Sequence, residues 1–184
     1  MDNLIADIIS ALRENPALTA RDVERIMRLH NGRAAAQDPA AGTRPFTKRT
    51  LMPRFRALAE GDSDLWRSWA LTAEEVSRIT ELLQVKPRRT MSGVATITLI
   101  TKPWHCRGGC IFCPTEVGMP KSYLSDEPAC QRAVQAGFDP YVQVTRRLRA
   151  LREMGHPIGK VELIILGGTW DDYPDEYRIA FVAE

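Results

Sequence analysis

Residues 105–114 read His-Cys-Arg-Gly-Gly-Cys-Ile-Phe-Cys-Pro. They set Cys106, Cys110 and Cys113 in a Cys-x3-Cys-x2-Cys array directly after an apolar run. Three thiolates so close along the chain can grip one metal centre from one side. Cysteine sulfur is a soft ligand suited to iron–sulfur clusters or zinc. Structural zinc takes four ligands, whereas a 4Fe–4S cluster held by three cysteines keeps one iron free for a substrate. Gly108 and Gly109 put no bulk on the backbone, so the loop can wrap tightly around a large group. Two other readings of the cysteines stay open at this point. One is a zinc site completed by His105 or Cys130, although His105 adjoins Cys106 and simultaneous ligation is awkward. The other is a disulfide framework, which the distant Cys130 and the missing secretory pattern do not favour. Cys130 itself reads as a small buried hydrophobe.

The flanks of this loop give the fold class. Residues 94–100 alternate β-branched and apolar side chains, a strand signature. Residues 114–128 carry three prolines and Gly118, and are expected to form a long functional loop. A helix is expected over 139–154 with Val142, Leu148 and Leu151 facing inward, ended by Gly155-His156-Pro157. Residues 161–166, Val-Glu-Leu-Ile-Ile-Leu, read as a strand of the buried parallel kind. Gly167-Gly168-Thr169 closes it. Strand, loop, helix, strand and Gly-rich turn make a βαβ unit, hence an α/β fold. In such sheets ligands sit beyond the carboxyl ends of the strands. The cysteine loop and the Gly-Gly-Thr turn both fall at that edge.

Residues 1–85 have a different texture and are expected to form a helical domain, with the α/β unit over 86–184. Leu4, Ile5, Ile8, Ile9 and Leu12 lie on one stripe of a helix over 3–13 that Asn15-Pro16 ends. A second helix opens near Thr19, carries Val23, Ile26 and Met27, and is expected to stop at Asn31-Gly32. Residues 33–43 read as a loop. Trp66 and Trp69 are expected to pack the helices together, and Thr72-Ala-Glu-Glu75 is a capping box. Between that loop and the tryptophans lies a basic stretch, Arg44, Lys48, Arg49, Arg54 and Arg56, interleaved with Phe46 and Phe55. It can be read as a phosphate-neutralising patch whose aromatics stack on bases. It can equally be read as a solvated helix face over buried phenylalanines.

Composition narrows the class without deciding it. The 184 residues are 44% hydrophobic and 26% charged, which fits a globular protein and not a disordered one. A formal net charge of +2 announces no nucleic-acid partner, so local clustering has to carry that argument. No apolar run reaches membrane-spanning length, and Asp2 and Asp7 interrupt any signal-peptide pattern. Exposed thiols point to a reducing, cytoplasmic setting.

The cysteine spacing, with Phe112 just before the third cysteine, resembles the signature of radical S-adenosylmethionine (SAM) enzymes. The flanks make the resemblance more specific. Lys86-Pro87-Arg88-Arg89-Thr90-Met91-Ser92-Gly93, Lys102-Pro103-Trp104-His105 and Met119-Pro120-Lys121-Ser122-Tyr123 resemble segments of the Elongator catalytic subunit family. So do Glu127-Pro128, Phe138-Asp139-Pro140-Tyr141 and Lys160-Val161-Glu162 through Thr169. The likeness is good over about 86–181 and weaker over 1–85. The family comprises tRNA wobble-uridine acetyltransferases.

The resemblance implies the first βαβ unit of a radical-SAM partial (β/α) barrel. It implies that Cys106, Cys110 and Cys113 bind a 4Fe–4S cluster, and that Gly167, Gly168 and Thr169 approach the SAM amino group with Phe112 packed beside it. It implies cleavage of SAM to a radical that activates acetyl-CoA for addition to C5 of the wobble uridine in the tRNA anticodon. Lys121, the candidate catalytic residue, would lie with Ser122 and Tyr123 near acetyl-CoA or the active-site mouth. Lys86, Arg88 and Arg89, with the basic 44–56 stretch, become candidates for tRNA backbone contact. Many family members have a longer insertion between the first two cluster cysteines than the three residues found here. Set beside the family, the later barrel strands and an acetyltransferase domain are expected to be missing from these 184 residues. A truncated fragment inactive by itself, or one piece of a split enzyme whose remainder is a separate chain, is therefore expected; the alternatives are a non-catalytic tRNA- or metal-binding fragment and a different radical-SAM enzyme.

Overall fold

The computed structural model describes residues 1–37, 44–61 and 63–184. Two compact units emerge. The first comprises Met1–Met91 together with Leu151–His156, and the second comprises Ser92–Ala150 and Pro157–Glu184.

The first unit is helical. Helix α1 (Asp2–Glu14) presents Leu4, Ile5, Ile8, Ile9 and Leu12, all buried. They meet Val23 and Met27 of α2 (Ala20–Gln37), Leu51, Met52, Phe55 and Leu58 of α3 (Lys48–Glu60), and Ile79, Leu82 and Leu83 of α5 (Ala73–Leu83). Each such side chain contributes roughly 2 kcal/mol by leaving water, which is why the stripe dictates the fold. The short α4 (Asp64–Trp69) sets Trp66 edge-on to Phe55, with ring centroids 5.3 Å apart, and Trp69 edge-on to Trp66. The tryptophans thus pack the helices as expected. Thr72 and Glu75 make the capping box reciprocally, Glu75 N donating to Thr72 Oγ1 and Thr72 N to the Glu75 carboxylate. The box is further tied to α1 by Arg13, whose Nε lies 2.6 Å from Glu75 Oε1.

Three expectations for this unit change. Helix α2 does not stop at Asn31-Gly32 but runs to Gln37. Asn31 spends its carboxamide on the Phe46 backbone, accepting from N at 2.7 Å and donating to O at 3.0 Å. The alanine-rich 33–37 then continues the helix, so only 38–43 of the supposed loop remains, and those residues lie outside the described ones. The boundary expected at residue 85 falls at Met91. Val85 N donates to Met154 O, and Thr90 Oγ1 lies 2.9 Å from Nδ1 of buried His156, so 151–156 belongs here too. Gly155 is needed in this segment. Its φ is +86°, and a Cβ would fall 2.5 Å from Met52 Cε.

The second unit holds two parallel strands, β1 (Ala95–Ile100) and β2 (Val161–Leu166), paired in register from Ala95–Val161 to Ile100–Leu166. Helices α6 (Pro128–Gln135) and α7 (Pro140–Glu153) connect them, and α8 (Asp175–Ala183) follows β2. The α/β class and the parallel pairing are as expected. Helix α6 was not anticipated. Its first residue is Pro128, the last proline of the expected loop, and proline suits the first helical position. Ile100, Met119, Cys130 and Ala133 form a small core. Buried Gln143 of α7 takes the place of a neighbouring strand: its carboxamide accepts from Ile100 N and donates to Ile100 O, both at 3.0 Å.

Strand β2 corrects a further expectation. It was read as buried, but Leu163 is 51% exposed and Ile164 and Ile165 are also open. A buried parallel strand needs a neighbour on each edge and a layer on each face. Among the described residues β2 has β1 on one edge and no other strand. No described helix is long and apolar enough to cross a membrane.

Candidate functional site

The two candidate loops meet where the strands end. Beyond Ile100 the ladder continues one step, Thr101 N donating to Leu166 O at 2.9 Å. Gly167 packs directly against Thr101, and a Cβ there would lie 1.9 Å from Thr101 Oγ1. Only glycine fits this approach. The next residue, Gly168, lies against both other candidate segments: a Cβ there would contact Lys121 Cβ at 3.5 Å and Cys106 Cβ at 3.8 Å. The Gly-Gly-Thr turn, the first cysteine and the Lys121 loop are thus brought together at the carboxyl edge of the sheet. An open cleft of about 540 Å³ runs here between Thr101, Tyr123, Gly167, Gly168, Trp170 and Tyr173.

The turn also fastens the cysteine loop. Thr169 Oγ1 lies 3.2 Å from Cys106 Sγ, and Gly108 N donates to the same sulfur at 3.4 Å. These bonds hold the Cys106 thiol below its ordinary pKa, the Thr169 hydroxyl having the larger effect. Asp172 grips both sides of Cys106. Its carbonyl accepts from Trp104 Nε1 at 2.7 Å, and its carboxylate accepts from Arg107 N at 2.9 Å and from Arg107 Nε. The Arg107 backbone N–H, and then its side chain, hold this carboxyl below the usual range. Sequence reading missed Asp172, and an acid four residues after a Gly-Gly pair carries no signal by itself. Thr101 Oγ1 bonds the buried Tyr173 hydroxyl at 2.7 Å, and that hydroxyl donates to Lys102 O. Lys102 Nζ sits over the rings of Trp104 and Tyr177, 5.1 and 4.4 Å from their centroids.

All four cysteines are free thiols. Cys130 is fully buried beside Glu127, and burial first, then that carboxylate, push its pKa up to about 11. It behaves as the small core residue expected, not as a ligand. Cys106 and Cys110 flank Gly108, where an added Cβ would lie 3.4 and 3.7 Å from their sulfurs. Cys113 Sγ accepts from Ser122 Oγ at 2.9 Å. Among the described residues no three His, Cys, Asp or Glu side chains are drawn together to hold a metal ion. The donor set nevertheless suits a cluster: three accessible soft thiols around a loop whose glycine leaves room between two of them.

Other candidates are placed as follows. Phe112 is 89% exposed at the loop tip and packs on no core. Lys121 Nζ donates to Thr115 Oγ1. Tyr123 is half-buried against the small core. In the helical unit Phe55 is buried in the core, which leaves it no face for a base, and Phe46 is half-buried against the same core. Arg54 Nε and Nη2 donate to the Asp2 carboxylate, at 2.8 and 2.7 Å, and half-buried Lys48 lies 4.0 Å from Glu24. Arg56 is partly buried, whereas Arg44, Arg49, Lys86, Arg88 and Arg89 face solvent. A larger cleft, about 620 Å³, lies in this unit along α1 and α5, and both its arginines are already paired, Arg13 with Glu75 and Arg78 with Glu81.

Part of this chain matches known proteins in sequence. The tRNA uridine(34) acetyltransferase of Methanocaldococcus jannaschii is 44% identical over 117 residues, 60% of this chain. Part of this chain is homologous to the Elongator catalytic subunit. The tRNA uridine(34) acetyltransferase of Dehalococcoides mccartyi is 44% identical over 99 residues, and the bovine Elongator complex protein 3 is 39% identical over 114, each covering 54% of this chain. The chain spans only about a fifth of the length of these Elongator-type relatives, 20–22%. No protein-family model matches it.

Proposed function

We propose that this chain carries the front part of a radical-SAM enzyme that modifies the wobble uridine of tRNA, joining the first βαβ unit of the barrel to a helical tRNA-binding unit. The observation that carries the reading is the meeting of the Gly167-Gly168-Thr169 turn with Cys106 and Lys121 at one sheet edge. Relatives named as tRNA uridine(34) acetyltransferases support the substrate class. Cys106, Cys110 and Cys113 would hold the 4Fe–4S cluster. When bound, that group supplies single electrons for the reductive cleavage of SAM.

The chain's own residues orient and shield. Gly167 and Gly168 expose backbone at the strand ends, where a charged amino group can come close. The exposed Phe112 offers an aromatic face beside the cysteines. Lys121 and Tyr123 border the same edge, where a negatively charged acetyl-CoA would enter. Lys86, Arg88, Arg89, Arg44 and Arg49 supply solvent-facing cations for tRNA phosphates.

Anaerobic reconstitution with iron and sulfide tests the reading, followed by absorbance and electron paramagnetic resonance (EPR). The expected result is a 4Fe–4S signal that Cys106→Ala abolishes. A single bound zinc, or a full cluster signal in Cys106→Ala, overturns it. Release of 5′-deoxyadenosine from SAM with a reductant would show that this chain alone supports cleavage.

A further inference from the structure

Two hydroxyls reach the cysteine sulfurs from segments outside the cysteine loop. Thr169 Oγ1 meets Cys106 Sγ at 3.2 Å, and Ser122 Oγ donates to Cys113 Sγ at 2.9 Å. Both are held in place by other bonds. Asp172 N donates to Thr169 O at 3.1 Å, and the same Asp172 clamps Trp104 and Arg107 on either side of Cys106. Ser122 N donates to Pro114 O at 3.1 Å, next to Cys113. Ser122 has φ +78°, a left-handed conformation that glycine adopts without cost. A serine there tolerates about 1 kcal/mol of strain or more, and what it gains is the bond to Cys113.

We propose that Thr169 and Ser122 are positioning residues whose hydroxyls donate to the Cys106 and Cys113 thiolates and thereby raise the reduction potential of the cluster those cysteines hold. This rests on the cluster reading given above. A hydroxyl proton on a ligating sulfur draws off negative charge. It therefore favours the reduced cluster, which carries one more electron, over the oxidised one. The two donors act at the first and third cysteines, and Cys110 between them has no such hydroxyl among the described contacts. The same placement assigns Ser122 to the cluster rather than to acetyl-CoA.

The test is an EPR-monitored redox titration of the reconstituted full chain, with iron counted per chain. The variants are Thr169→Val, Ser122→Gly, which suits the positive φ, and Thr169→Ser as the conservative rescue. All are expected to load as much iron as wild type. Thr169→Val and Ser122→Gly should each shift the midpoint negative. A tenfold lower reduced-to-oxidised ratio at a fixed potential corresponds to about 59 mV for one electron. Thr169→Ser should restore the wild-type midpoint. Equal iron with equal midpoints in Thr169→Val and Ser122→Gly overturns this proposal alone. If Thr169→Val fails to load, the midpoint of Ser122→Gly still decides it: a negative shift supports the proposal, and a wild-type midpoint overturns it. A wild-type chain that takes up no cluster overturns this proposal and the functional reading together.

Discussion

Gly167→Ala is the sharpest test of how the strand ends are built. The added Cβ would lie 1.9 Å from Thr101 Oγ1 and 3.3 Å from the Tyr173 hydroxyl, so something must move. If Thr101 rotates, it loses the 2.7 Å bond to Tyr173 and the 3.3 Å bond to Leu166 O. Leaving a buried hydroxyl short of a partner costs about 1–3 kcal/mol. If the strands part instead, overpacking costs about 1–3 kcal/mol. A loss of about 3 kcal/mol in local stability is expected, on the order of a hundredfold in an opening equilibrium. Amide hydrogen exchange of β1 and β2 reads this directly in the whole chain and needs no single unfolding transition. Thr101→Ala removes the clashing oxygen. The double variant should therefore be less impaired than the two single losses summed, by about 1 kcal/mol or more. Unchanged β1 protection in Gly167→Ala, or strict additivity with Thr101→Ala, would refute the close-approach argument.

Three further outcomes follow from the geometry. The pKa of Glu75 is lowered to about 2, mainly by Arg13, so its contribution to the helical unit is present above the ordinary carboxylate pKa and lost as pH falls through about 2; Glu75→Gln should flatten that acid loss in a pH series of thermal melts. Gln143→Leu leaves the Ile100 N–H and carbonyl without their buried partner and should cost about 2–4 kcal/mol, seen as faster exchange at Ile100. Arg88→Ser with Arg89→Ser should weaken tRNA binding and reduce the log–log salt slope by about 1 per charge, whereas Arg54→Ala, already matched by Asp2, should change it less.

Local signals carried much of this in the sequence. The 3.6-residue stripe of α1 and the Thr72–Glu75 box name their own structures, because the relevant partners lie within a few residues. The cysteine spacing and the Gly-Gly-Thr turn were legible for the same reason, and their shared sheet edge followed from the strand pattern. What was not legible depended on distant partners. Asn31 looks like a helix stop until Phe46 is found to occupy its carboxamide. Arg54 looks like a phosphate ligand until Asp2, 52 positions away, is found to hold it. Periodicity showed that residues 161–166 are apolar, but no periodicity can show what covers them. Asp172 and Gln143 act only through backbone groups of other segments, which composition cannot announce.

The carboxamide of Gln143 has a consequence for how this sheet can grow. It blunts β1 at its carboxyl end by copying the amide and carbonyl of an adjoining chain. Among the described residues strand β2 has no such stopper, and its outer flank offers a row of backbone donors and acceptors beside Leu163, Ile164 and Ile165. Growth of the sheet is thereby one-sided: the free flank of β2 can accept a further strand, whereas Gln143 caps β1 at Ile100.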